Sequence, residues 1–348
     1  MAQVLSSLTH GARRPTTLLL VVALYSVICA QWALAAQSAS DYAVSSDYAK
    51  QDRVQAYVDE VVREHGFDRA ELTALFEATR PQQKVLDAIS RPAERVLAWH
   101  EYRKIFLTDQ RIKQGVAFWK SHAATLSRAQ QELGVAPEYL VAIIGVETFY
   151  GRHKGKYRVI DALTTLAFDY PPRAKFFRKE LTEFLLLTRE ERFDPLSLVG
   201  SYAGAMGYGQ FISSSMRAYA IDFDGDGQRD ILTNPVDAIG SVANYFRRHG
   251  WRGDEHVVVP VALGEAAAAK LVKKGLVLDH SVAALREQGV YVPGVAGEQK
   301  AALLRMETTL GPQFWVGLND FYAITRYNHS PMYALAVYQL AQSIKAAR

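Results

Sequence analysis

From Asp52 onward the chain places apolar residues at helical spacing. Val54, Tyr57, Val58 and Val61 share one face of a 3.6-residue period, and Gly66 ends that helix. Asp68 caps a second helix with Glu71 three residues on, the reciprocal arrangement of a capping box, and Arg80-Pro81 closes it. The same periodicity predicts helices over 92–106, 109–133, 137–149 and 173–187. After Trp251 the pattern changes. Val257, Val258, Val259 and Val261 form a β-prone run in which Pro260 marks an edge position. Leu271 to Val282 is mixed around a Lys273-Lys274-Gly275 turn, and Phe314, Val316 and Leu318 alternate with Trp315 and Gly317 at strand period. A last helix starts at Ser330-Pro331 and carries Leu335, Leu340 and Ile344. The pattern predicts a mainly α protein with a small β-containing unit, residues 256–315, inserted in a helical body that resumes over 316–330.

Residues 1–35 read as a secretory signal peptide. Arg13 and Arg14 precede the apolar stretch Leu18 to Ala30, and Ala33-Leu34-Ala35 matches a small-x-small cleavage site. An uncleaved anchor would need about 20 apolar residues, more than this stretch offers. Cys29 is the only cysteine, and Ile28 stands where a lipoprotein signal wants a small residue. The expectation is therefore an exported periplasmic protein without disulfides, with lipid anchoring the minority reading. Residues 36–50, rich in Ser, Ala and Tyr, read as a leader to the helical body. Cleavage leaves 38 basic against 36 acidic residues, a balance that gives no basis for a nucleic acid partner.

The most informative single residue is Glu147. Leu140, Ile143 and Ile144 lie seven, four and three residues before it, which puts the carboxylate on the buried side of an amphipathic helix. Pro137 suits the first helical turn and Gly151 the stop, so Glu147 falls in the last turn. Burial and the negative end of the helix dipole both favour the protonated form, as a general acid requires. The competing reading is a structural glutamate paired with Arg152 or His153.

Three further segments bear on chemistry. Gly200-Ser-Tyr-Ala-Gly-Ala-Met-Gly-Tyr-Gly-Gln-Phe211 lacks the Gly-Lys-Ser/Thr of a phosphate loop and follows no clear strand. Its Tyr202, Tyr208 and Gln210 suit an uncharged polyhydroxylated ligand, and a tight helix-packing loop is the alternative. Asp222, Asp224, Asp226, Gln228 and Asp230 occupy positions 1, 3, 5, 7 and 9 of an EF-hand-like loop, 222–233, with Gly227 at position 6. Position 12 is Thr233 where a bidentate glutamate is usual, and Asn234 suits an N-cap. Structural calcium at weak affinity is expected, against a metal-free Asp-Gly turn. Tyr102, and Tyr327-Asn328 before the final helix, are aromatic and amide positions that spacing alone does not move toward a site.

With these segments in hand the chain resembles the lytic murein transglycosylases of the B family. The resemblance rests on Val141-Ala-Ile-Ile-Gly-Val-Glu147-Thr, Ser201-Tyr-Ala-Gly-Ala-Met-Gly-Tyr-Gly-Gln210-Phe, Pro235-Val-Asp-Ala-Ile-Gly-Ser-Val-Ala-Asn-Tyr-Phe246 and Arg326-Tyr-Asn328. It implies a lysozyme-like helical core, 111–255, and an N-terminal helical domain, 36–110, joined by the C-terminal helix 331–348. By the same resemblance Glu147 is the catalytic acid/base, and Ser201, Gln210, Tyr102, Tyr327 and Asn328 line the saccharide groove or orient the glutamate. Arg173 matches a residue near the peptide stem. No catalytic cofactor is expected. The resemblance implies peptidoglycan glycan strands as the partner, with cell-wall synthesis enzymes as further candidates and a monomer expected. Glycosidases normally use two carboxylates, and Asp161 and Asp169 fall outside the segments the family uses. The implied reaction is cleavage of the MurNAc–GlcNAc β-1,4 bond with formation of a 1,6-anhydromuropeptide. A muramidase and a non-catalytic wall-binding scaffold are the rival readings.

Overall fold

A computed structural model describes residues 42–45, 47–90, 97–273 and 276–348; the expected signal peptide, with Cys29, lies outside them. Among the described residues the first α-helices are α1 (Asp52–His65), α2 (Arg69–Ala78), α3 (Gln83–Ser90) and α4 (Trp99–Phe106). Gly66 ends α1 in the left-handed conformation, and the Asp68 carboxylate accepts from the Glu71 N–H at the start of α2. The helix expected over 92–106 is described from Trp99.

The 109–133 stretch is two helices, α5 (Asp109–Ser121) and α6 (Ala123–Leu133), divided at His122. Apolar spacing runs through the break, so periodicity alone does not mark it. Next come α7 (Pro137–Thr148), β1 (Tyr157–Arg158), α8 (Val159–Asp169) and α9 (Ala174–Glu190). Then follow β2 (Val199–Gly200), α10 (Ser213–Tyr219) and α11 (Pro235–Arg248). All twelve residues of α7 are buried, so it is not the amphipathic helix its spacing suggested. A helix apolar on every side is a core helix, and α7 is enclosed by α5, α6 and α11 and by the final helix of the chain.

The β unit contains β3 (Val258–Val261), α12 (Glu265–Leu271), β4 (His280–Ser281), α13 (Val282–Glu287), β5 (Lys300–Thr308) and β6 (Gly311–Gly317). The sheet order is β3-β6-β5-β4, all antiparallel, with Pro260 on an edge strand where its missing N–H costs no ladder bond. Ala302, Leu304 and Met306 on one face join the main core. Ala301, Leu303, Phe314 and Val316 on the other pack a second, smaller core with Ala268, Leu271, Val282 and Leu285. Burial on both faces explains why β5 reads as a continuous apolar run and escaped the alternation test.

The chain returns through α14 (Asn319–Tyr327) to α15 (Pro331–Ala346), capped by Ser330 and packed along α7, α5, α4 and α14. Among the described residues no helix is long and apolar enough to cross a membrane.

Candidate active site

Glu147 is the penultimate residue of α7. The helix stops immediately after it because Phe149 (φ 52°) and Tyr150 (φ 61°) enter the left-handed region ahead of Gly151. Left-handed conformations at two bulky residues are costly, and such backbone concentrates at functional sites. Tertiary packing holds the turn. Thr148 Oγ1 donates to Tyr208 O (2.9 Å) and accepts from Gly151 N–H (2.9 Å), while the Tyr150 hydroxyl donates to Arg111 O (2.8 Å).

The Glu147 side chain is only 7 % exposed. Its partner is neither Arg152 nor His153, both of which sit beside the Phe149 ring. Instead the Tyr333 hydroxyl, carried in on α15, donates to Glu147 Oε1 at 2.6 Å. The Glu147 carboxyl is raised from 4.5 to about 7: burial pushes it up, and the Tyr333 hydrogen bond offsets part of that rise.

Tyr102 lies on the buried face of α4. Its hydroxyl has no hydrogen-bond partner among the described residues, and it feels the Glu147 charge. Burial is the first cause of its raised pKa and Glu147 the second. Tyr327 and Tyr102 both act electrostatically on Tyr333, so the three phenols and Glu147 form one cluster. Sequence reasoning missed Tyr333. Its only local signal is a tyrosine at the third position of a helix opened by Ser330-Pro331.

The glycine-rich loop closes over the same region. Residues 200, 206 and 211 extend the β1–β2 pair through single bridges. The Tyr327 hydroxyl donates to Gly209 O (2.5 Å), and a Cβ at Gly209 would stand 2.7 Å from that hydroxyl, so only glycine permits this approach. Gln210 is held at φ 51°, with its amide donating to Gly207 O (3.1 Å) and Lys154 O (3.3 Å). Ser201 Oγ accepts from the N–H groups of Ala203 (3.3 Å) and Ala205 (3.1 Å), which fixes the loop's first turn. Asn328 follows Tyr327 at the C-cap of α14. Arg173 stands on a separate element, in the turn before α9, with its guanidinium over Phe176 (4.3 Å) and Phe177 (5.2 Å).

Neither alternative carboxylate is available. Asp161 accepts from Arg80 N–H and is clasped by Arg158, while Asp169 accepts from Ser45, Tyr48 and Arg53. Both anchor the N-terminal helices to α8.

In the 222–233 loop, the carboxylates of Asp222 and Asp224 lie within 4.8 Å of a third from Asp237, in the first turn of α11. Asp226 Oδ1 accepts from Gln228 N–H, the Gln228 amide donates to Glu191 O, and Asp230 accepts from Leu232 and Thr233 N–H and the Thr233 hydroxyl. Asn234 caps α11, as its position suggested. Sequence counting ended at position 12 and so passed over Asp237, which reaches the loop from the following helix. Three hard carboxylate oxygens suit calcium, although Asp237 also accepts from Phe223, Asp224 and Asp230 N–H.

Residues 49–342 match the transglycosylase SLT domain family. The membrane-bound lytic murein transglycosylase B of Escherichia coli K12 is 45 % identical over 316 residues, 88 % of this chain and 86 % of the relative. The soluble lytic transglycosylase SltB1 of Pseudomonas aeruginosa is 54 % identical, with a TM-score of 0.83 over 85 % of this chain and 99 % of that one. The Escherichia coli lytic transglycosylase Slt35, solved in complex with calcium, is 43 % identical, with a TM-score of 0.79 over 90 % and 99 %.

Proposed function

The chain belongs to the transglycosylase SLT domain family, and from that premise we propose that it is a lytic transglycosylase of peptidoglycan with Glu147 as its single acid/base. The observation that carries the assignment of Glu147 is its environment: a buried carboxyl pushed to about 7, held by Tyr333, with no second carboxylate among the groups that shift it.

The reaction follows from those constraints. Protonated Glu147 gives its proton to the glycosidic oxygen between MurNAc and GlcNAc as the C1–O bond breaks. A single carboxylate cannot also act as nucleophile, so the 2-acetamido oxygen of the N-acetylmuramic acid stabilises the positive centre at C1. Glu147, now ionised, removes the proton from the 6-hydroxyl of the same sugar, whose oxygen attacks C1. The proton balance closes on Glu147, and the attack gains the effective molarity of an intramolecular reaction. Tyr333 steadies the ionised intermediate form of the carboxylate. Ser201, Gln210, Tyr102, Tyr327 and Asn328 serve the saccharide groove, and Arg173 a peptide stem.

In this reading Asp222, Asp224 and Asp237 would hold calcium in a structural role, joining the 222–233 loop to the first turn of α11. The N-terminal signal pattern and a substrate in the cell wall both support a periplasmic location.

The test is mass spectrometry of the soluble products released from purified sacculi. Anhydromuramyl ends, one water lighter than hydrolysis products and resistant to borohydride, are expected. Reducing ends at full mass would make the protein a muramidase, and binding without release a scaffold.

A further inference from the structure

Arg111 is a buried cation with no part in the chemistry given above. The residue is 6 % exposed, and no carboxylate among the described residues pairs with it. Burial pulls its pKa below the usual arginine value. As the third residue of α5 it also stands at the positive end of its own helix, where a cation is disfavoured. A guanidinium in that place needs compensation from other elements.

That compensation comes from the two helices that carry the site. Arg111 Nε donates to Gly145 O in the last turn of α7 (3.2 Å), and Nη1 donates to Ile105 O in the last turn of α4. The guanidinium also lies over the rings of Phe149 (4.8 Å) and Phe106 (5.4 Å). The main-chain carbonyl of Arg111 accepts from the Tyr150 hydroxyl. Gly115 of α5 and Gly145 of α7 make room for that hydroxyl, since a Cβ at either would stand 2.6 Å from it. Arg111 therefore touches both left-handed residues that follow Glu147, and it links the helix of Glu147 to the helix of Tyr102.

A simple tie between helix ends would account for the two carbonyl contacts, because C-terminal carbonyls favour a cation. It would not account for the turn. Left-handed backbone at two bulky residues persists only where its surroundings over-determine it, and Arg111 holds both of them. Its charge is not among the influences on Glu147, which are burial and Tyr333, so its action there is through geometry. We infer that Arg111 is a positioning residue: it keeps the Phe149–Tyr150 turn closed and thereby fixes the Glu147 carboxyl beside Tyr102 and Tyr333. The inference rests on Glu147 being the acid of the function given above.

The test uses Arg111→Gln and Arg111→Lys with soluble glycan strands as substrate. Lysine keeps the charge but can neither bridge two carbonyls in a fixed fork nor stack flat on Phe149. In Arg111→Gln, kcat falls about a hundredfold at a near wild-type KM, the effect of a displacement of about one ångström. Arg111→Lys falls less. In both, the relaxed turn admits water to Glu147, so its pKa drops and the alkaline limb of the kcat profile moves to lower pH. The phenols that feel Glu147, those of Tyr333, Tyr102 and Tyr245, are present in both variants. A limb that moved to higher pH in Arg111→Gln alone would mean that the lost charge acts on Glu147 directly, and would overturn the inference. So would a raised KM at unchanged kcat, or a lowered Tm with kcat and limb unchanged. Infrared titration of the Glu147 carboxyl, identified by its disappearance in Glu147→Gln, reads the same shift without turnover. An unmoved carboxyl in folded Arg111→Lys overturns the inference. If wild-type protein releases no anhydromuropeptide, the enzymatic reading fails, and the infrared titration still decides whether Arg111 positions the carboxyl.

Discussion

Replacing Glu147 by Gln separates the chemistry of this carboxyl from its cost to the fold. The amide keeps the shape and can still accept from the Tyr333 hydroxyl, but it neither gives nor takes a proton. Release of muropeptides should vanish, since a positioned acid/base contributes roughly 10²–10⁴-fold in rate. The stability effect is sharper. Burial raises the carboxyl from 4.5 to about 7, so the folded protein holds its proton over a window in which the unfolded chain has lost it. Stability from this group is fully present below pH 4.5 and lost as pH rises through about 7. At about 1.4 kcal/mol per pH unit, the loss is roughly 3 kcal/mol. Gln has no such dependence. Urea unfolding of both proteins at pH 4.5 and pH 8 should show the variant gaining roughly 3 kcal/mol on wild type between the two conditions. Groups common to both proteins cancel in that difference. A flat difference would refute the reasoning, because it would mean that the folded carboxyl titrates like an exposed one.

Three further outcomes follow from single contacts. Tyr333→Phe removes the hydrogen bond that lowers the Glu147 pKa; the alkaline limb of the kcat profile should move up by about one to two pH units, with a slower plateau. A lower plateau with an unmoved limb would deny the coupling. Gly209→Ala puts a methyl 2.7 Å from the Tyr327 hydroxyl and 3.1 Å from Val242 Cγ2. It should cost about 1–3 kcal/mol of stability by denaturant titration and slow the enzyme by displacing the loop. In wild-type protein, calcium at about a hundred times its Kd should stabilise by about 2.7 kcal/mol. Asp237→Asn should erase most of the calcium-dependent rise in Tm, and an undiminished rise would remove Asp237 from the ligand set.

Much of this protein is legible in residues taken a few at a time. Local chemistry set where helices begin and end: Asp68, Asn234 and Ser330 cap as their positions require, Gly66 takes the left-handed stop, and Pro137 opens α7. The edge position of Pro260 was legible for the same reason, since a missing N–H is a property of the residue alone. Ordered motifs around Glu147, the glycine-rich loop and the final helix pointed to the family before any distance was known. What remained hidden depends on contacts between residues far apart in the chain. Periodicity could not show that α7 is buried on every side, because burial is decided by how many neighbours enclose a helix. Nor could it divide α5 from α6 at His122 or reveal β5, whose two faces meet different cores. Tyr333 reaches Glu147 across 186 residues, and Asp237 joins Asp222 and Asp224 from the next helix. Both are ordinary core-helix residues until α15 and α11 are packed. Tertiary structure alone decides which buried polar groups satisfy one another, and that pairing gives Glu147 the environment an acid requires.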